Sequence, residues 1–382
     1  MTRAKKRLLL ALFLNQTSLG VYLLLIGAVL PLIRAEYGLS YRLSGIMMGL
    51  QSAGYFVAGV TAPLLPRKIG IKNSYIILLN LALIGLIVIM LTGNPFLLLC
   101  AMLMTGISKG ACGNYNNAIV SSISGNSASL LNFLQACFAI GACIAPLIAA
   151  ACGSNWRRAF MVEIVFAGLI LIYSLGMKIG AGDYPVADQK GGADFGFFRS
   201  KVFWICAVFL SCYMAIEACI MGFLVTFYVD TGLVNEGRAQ MLSVLLWVAV
   251  LAGRLACSVL STRFKPAQML MVMSIGVAVS FTLFIFGGSI VPVTIGSVGL
   301  GLFMGGMYGT AIGDVGDMLE KYSMCMGMLI VIPGLVSTFM PSLIGVLADL
   351  WDIRRGMMAI FVLIVLLLAV TVVDVRNQKA LK

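Results

Sequence analysis

Histidine is missing from all 382 residues. That excludes Ser-His-Asp catalysis, His-ligated metal centres and imidazole proton relays in one stroke. Charge is scarce as well: 10% of the residues are Asp, Glu, Lys or Arg, where a soluble domain carries about 25%. The ten cysteines form no C-x-x-C pair and lie in apolar segments, as Cys137, Cys143, Cys206, Cys212 and Cys219 do. They read as small buried hydrophobes, without a disulfide framework, a metal site or a cofactor. No enzyme chemistry is evident.

Apolar residues fill that gap, at 61% hydrophobic with a mean hydropathy of +1.05. The chain reads as an all-α membrane protein, since about 20 apolar residues cross about 30 Å of hydrocarbon. Twelve segments qualify: 8–33, 41–65, 73–93, 95–119, 128–152, 158–180, 201–229, 238–261, 267–287, 290–313, 323–348 and 356–374. Leu8 to Ile33 is too long for a signal-peptide core and reads as an uncleaved first span. The joints are mostly short and turn-like. The stretch 181–200, AGDYPVADQKGGADFGFFRS, is polar and Gly-rich, a cytoplasmic linker between halves 1–180 and 201–382. The net charge of +12 comes from Lys and Arg at segment ends and does not call for nucleic acid. If the first end lies inside, 17 of the 26 basic residues fall on the cytoplasmic face and seven on the other. Both termini are therefore expected in the cytoplasm.

The halves repeat. Glu36 aligns with Asp230, Gly38 with Gly232, Gly59 with Gly253 and Arg67 with Arg263. Gly113-x-Tyr115-x-x-Ala118-Ile119 aligns with Gly306-x-Tyr308-x-x-Ala311-Ile312, Pro146 with Pro341, and Arg157-Arg158 with Arg354-Arg355. An ordered series at one offset, close to half the chain, implies duplication. Six plus six helices in parallel repeat suit alternating access, and a sensor or membrane enzyme has no need of that symmetry.

Four patches carry a narrower resemblance. They are Leu131 to Pro146 (LNFLQACFAIGACIAP), the Glu217 segment ahead of Val229-Asp230, Trp247 to Arg254, and Gly334-Leu335 through Pro341 to Asp349. With the repeat, they resemble the major facilitator superfamily, and within it the fucose/glucose/galactose–proton symporters. The resemblance implies twelve transmembrane helices in two pseudo-symmetric six-helix halves. It also implies that helices 1, 4, 7 and 10 line a central cavity, with 2, 5, 8 and 11 beside it. Two positions depart from the family pattern. The turn Pro63 to Lys72 keeps its basic residues but lacks the acid that usually precedes them. Lys109 places a cation where relatives carry an uncharged or acidic group.

Polar groups inside spans cost several kcal/mol unless they face water or a partner, which makes them site candidates. Lys109, Gly113 and Asn116 follow i, i+4, i+7 spacing on helix 4, with Asn117 beside them. Asn132 and Gln135 share a face of helix 5, and Gln51 lies on helix 2. The second half supplies Tyr213 and Glu217 on helix 7, Trp247 and Arg254 on helix 8, and Tyr308 on helix 10. In a chain without His, Glu217 is the expected proton carrier, with Arg254 as a coupling partner. Lys109 and Glu217 both fall near mid-span. Glu163 is expected to neutralise Arg157 or Arg158 at the outer rim, and Asp314, Asp317 and Glu320 to form an inner latch. Asn15 and Gln16 are expected to seal the cytoplasmic end of helix 1.

The reading is a secondary transporter that moves a small polar solute, a sugar or sugar-like molecule, by alternating access with a coupling proton. An organic-anion carrier using Lys109 and Arg254 is the alternative, and multidrug efflux is the third. Expected partners are the solute, the proton and membrane lipid, with no cofactor and no nucleic acid. The expected form is a monomer in a bacterial inner membrane.

Overall fold

A computed structural model describes residues 3–124, 128–177, 179, 196–261, 263–315, 318 and 325–380. Among them every long element is an α-helix. In chain order these are α1 (Arg3–Tyr37), α2 (Tyr41–Thr61), α3 (Ile71–Leu91), α4 (Pro95–Ser124), α5 (Ala128–Cys152) and α6 (Trp156–Leu175). After a 3-10 turn at Gly196–Arg199 come α7 (Lys201–Asp230), α8 (Glu236–Leu260) and α9 (Pro266–Phe286). The last are α10 (Ile290–Met304, continued as Met307–Asp314), α11 (Cys325–Leu350) and α12 (Ile360–Ala380).

Eleven of the described helices are long and apolar enough to cross a membrane. The other is α2, whose Arg42, Ser44, Gln51, Ser52 and Tyr55 dilute its hydropathy. At 21 residues it is still about 31 Å long. Much of the apolar surface stays open, as with Leu169, Ile172, Val279 and Val362. A water-soluble protein would bury such residues, whereas lipid accepts them.

The chain forms two compact units. Unit 1 is Met1–Leu39 with Ile46–Lys190, and unit 2 is Ser40–Gly45 with Gly191–Lys382. The first turn of α2 thus groups with unit 2. Its Tyr41 and Arg42 backbone N–H groups each donate to the Asp349 carboxylate at 2.7 Å. A carboxylate at a helix N-terminus satisfies orphan donors and complements the helix dipole. Most of the stretch expected to be a linker lies outside the described residues, although Phe197 within it is buried.

Small residues set the helix spacing that positions the polar groups. On α4, a Cβ at Gly106 would collide with the Gln51 carbonyl and one at Gly110 with the Tyr55 carbonyl, both on α2. Lipid offers apolar helices no hydrophobic drive to associate, so close backbone approach replaces it. In unit 2, α10 breaks at Gly305-Gly306. There a Cβ would strike the Val250 carbonyl or the Cys257 sulfur of α8.

Candidate functional site

In unit 1, Lys109 projects from α4 between two rings. Its Nζ lies 4.7 Å from the Tyr55 ring centroid on α2 and 5.7 Å from that of Phe138 on α5. Such seats are worth about 0.5–2 kcal/mol. Gly110 allows α4 to lie against Tyr55 and so positions the lysine. Tyr55 and Phe138 are the aromatic wall of the site, and Phe138 carries no polar flag that sequence reading could catch.

The amides of unit 1 divide into two kinds. Asn116 is fully buried at the meeting of three helices. Its Nδ2 donates to Asn15 Oδ1 at 2.9 Å and to Gln16 Oε1 at 2.8 Å, both on α1. Its Oδ1 accepts from the Tyr75 hydroxyl of α3 at 3.0 Å. Every donor of that amide is committed, so Asn116 joins helices, and Asn15 and Gln16 meet it in the interior instead of closing a helix end. Asn117, the next residue on the helix, points elsewhere: its Oδ1 accepts from Gln135 Nε2 at 3.1 Å, and Gln135 is exposed. The side chain of Asn132 lies outside the described residues. Gln51 is buried and donates to Thr105 Oγ1 at 3.2 Å.

Unit 2 collects its polar groups on α7, α8 and α10. The buried Tyr213 hydroxyl donates to Glu217 Oε1 at 2.9 Å, one turn along α7. Glu217 is half-buried, and among the described residues no ion pair reaches it. Arg254 and Tyr308 lie within electrostatic range of the Tyr213 phenol. Among the described residues Arg254 forms no ion pair. Its Nε donates to the Gly305 carbonyl at 3.3 Å, where the break in α10 leaves that oxygen accessible. Trp247 is 4% exposed, and among the described residues its indole N–H has no hydrogen-bond partner. A buried unmet donor costs about 1–3 kcal/mol and invites an acceptor.

Other expectations are corrected by the structure. Glu163 does not neutralise the rim arginines. Arg157 instead binds Glu36 through two contacts, at 2.9 and 2.5 Å, and Trp156 donates to the same carboxylate at 2.7 Å. The pairing follows from reach: Arg157 opens α6 at the level where α1 ends, whereas Glu163 is two turns deeper. Glu163 is buried and accepts from the Ser18 hydroxyl of α1. An acid that far into an apolar segment was the one signal for it. Of the inner acids, Asp314 lines a small cavity with Asp374, Thr371 and Cys206, while Asp317 and Glu320 lie outside the described residues.

The Major Facilitator Superfamily model matches residues 8–324. "Major facilitator superfamily domain-containing protein 4A" of Danio rerio is 32% identical over 126 residues, 32% of this chain and 24% of that protein. The Homo sapiens protein of the same name is 26% identical over 156 residues, 40% of this chain and 30% of its own length. The matched stretch thus spans under a third of either relative. Among solved structures, a bacterial homologue of the human lysosomal transporter Spinster superposes with a TM-score of 0.82 at 14% identity, covering 98% of both chains. A nucleoside transporter gives 0.79 at 13% identity over 97% of this chain and 98% of its own. A D-xylose-proton symporter gives 0.74 at 14% identity over 97% of both. These likenesses concern the fold. With a family match over residues 8–324 on a scaffold of helices long and apolar enough to cross a membrane, this chain belongs to the Major Facilitator Superfamily and is a multi-pass membrane protein.

Proposed function

We propose that this protein is a proton-coupled carrier of a small hydroxylated solute, of the sugar or nucleoside class. The observation that carries the reading is the Tyr213–Glu217 pair in unit 2. A half-buried carboxyl inside a span that accepts a phenol's hydrogen bond is a functional group by default, and it is the acid we assign to coupling. The Trp247 N–H and the Tyr308 ring supply a donor and a stacking face of the kind that sugars and bases use. In unit 1, Asn117, Gln135 and Lys109 are the contacts. Amides both donate and accept, which matches hydroxyl-rich ligands. The D-xylose-proton symporter and the nucleoside transporter, alike in fold, support this class. Asn116 and Gln51 serve as joints that hold the contact residues.

A second reading is favoured by Lys109. A cation among aromatic rings inside a span is a group that recognises carboxylates, so a carboxylated solute such as a sugar acid is the alternative. Substitution by glutamine separates the two: an anionic ligand loses its binding, while a neutral one is retained in part.

In the same proposal both termini are cytoplasmic, the chain acts as a monomer, and the setting is a bacterial inner membrane. The division into halves 1–180 and 201–382 serves alternating access. Thermal stabilisation of the purified protein by pentoses, hexoses, nucleosides, sugar acids and apolar cations, at several pH values, tests the class. Stabilisation by a neutral polyol that weakens in Glu217→Gln is expected. Stabilisation by apolar cations alone would replace this reading with multidrug efflux.

A further inference from the structure

Unit 1 contains a carboxyl that the proposed site does not use. Glu163 lies in the middle of α6 with 1% of its surface exposed, and its hydrogen-bond partner is the Ser18 hydroxyl of α1. α6 packs against α1, α3 and α5, and each presents a short set of ionisable groups. On α1, Tyr22 sits one turn beyond Ser18, buried and within electrostatic range of Glu163. On α3, Tyr75 is committed to Asn116 and Lys72 to the Leu175 carbonyl. α5 presents cysteines and no charge. On α6 itself Arg157 is bound to Glu36, Arg158 is exposed, and Tyr173 donates to the Arg7 carbonyl. Among the described residues, no cation pairs with Glu163.

Among the described residues, an ionised carboxylate in that setting would be answered by the Ser18 hydroxyl alone. Low-dielectric surroundings favour the neutral acid over such a charge. We propose that Glu163 is a proton-binding site of unit 1, separate from Glu217, at which a proton is taken up and released through the interface of α1 and α6. On release the acid O–H bond breaks and the proton passes to a water admitted beside Ser18, whose hydroxyl then donates to the carboxylate. On uptake the same steps reverse. The use of this proton in transport rests on the proton-coupled reading above, but its binding is measurable without any transported solute.

The test is infrared difference spectroscopy of the full chain in lipid nanodiscs during a pH titration, with a parallel count of bound protons. A protonated-carboxyl band at neutral pH is expected, converting to carboxylate as the pH rises. Glu163→Gln should remove that band and lower the proton count by about one per molecule, while Glu163→Asp keeps a band at a shifted frequency. Ser18→Ala should move the titration without abolishing it. The proposal is overturned if wild type and Glu163→Gln titrate alike, or if the band persists unchanged across the whole range, which would mark a permanently neutral structural acid. Should Glu163→Gln fail to fold, Ser18→Ala and Glu163→Asp still decide, because an unmoved band in both also overturns it. Failure of Glu217 as proton carrier leaves this band in place, so the two ideas fail separately.

Discussion

Three residues carry the sharpest consequences at the residue scale. Asn116 spends its whole carboxamide on Asn15, Gln16 and Tyr75. Asn116→Ala therefore strands buried partners at about 1–3 kcal/mol each. A clear fall in melting temperature in detergent is expected, with ligand affinity in the surviving folded fraction little changed. Tyr213→Phe removes the hydroxyl that donates to Glu217. Loss of one intramolecular hydrogen bond costs about 0.5–1.5 kcal/mol. Ligand-induced thermal shifts should then require roughly two- to tenfold more ligand. Lys109→Gln takes the cation off the Tyr55 ring. Equilibrium binding of sugar acids should fall by about tenfold or more if Lys109 meets the carboxylate. Unchanged binding of an anionic ligand would remove Lys109 from the site.

Elements show how these side chains are placed. Gly106 and Gly110 bring α4 against the α2 backbone, and Lys109 lies between them in sequence. Gly110→Leu would force α2 and α4 apart. Overpacking of this kind costs about 1–3 kcal/mol or more, and it would lift Tyr55 from the lysine. Cysteine crosslinking between α2 and α4 should lose efficiency in that variant, alongside a drop in melting temperature. The break in α10 works differently. Gly305 and Gly306 allow α10 to touch α8 and leave a carbonyl for Arg254. The apolar segment 290–313 qualifies as one span, and its glycine run GLGLFMGG allows both close packing and bending without fixing where a break falls. Only the approach of α8, with Val250 and Cys257 at the contact, makes them a break. The same limit applied to Arg254. Its hydrogen bond to the Gly305 carbonyl depends on local geometry that residue types do not reveal.

At the scale of the whole molecule, the basic residues at segment ends bear on orientation. A C-terminal reporter active only in the cytoplasm should be active, and one that requires export should be silent. The opposite pattern would invert the topology and, with it, the faces assigned to every loop. α2 bears on the same question, since its polar residues keep it below the composition of the other spans. Its Gln51 is nonetheless satisfied by Thr105, and its first turn by Asp349. A helix can span with modest hydropathy when protein shields its polar side.

Composition and duplication were enough to read a helical membrane transporter with two six-helix repeats, because hydrocarbon demands long apolar helices and a repeat leaves an ordered trail of matches. The polar residues inside spans were equally visible, since the membrane makes each of them conspicuous. Tertiary structure alone decided which of them are joints and which remain available. Asn116 and Asn117 are chemically identical neighbours, yet a helix turns about 100° per residue, so one is locked among three helices and the other meets an exposed amide. Glu163 shows the same thing in reverse. Its charge suggested the nearest arginines, but depth along α6 delivered Arg157 to Glu36 and left Glu163 facing Ser18. Residue type states what a group can bond, while direction and depth, set by packing, determine what it does bond.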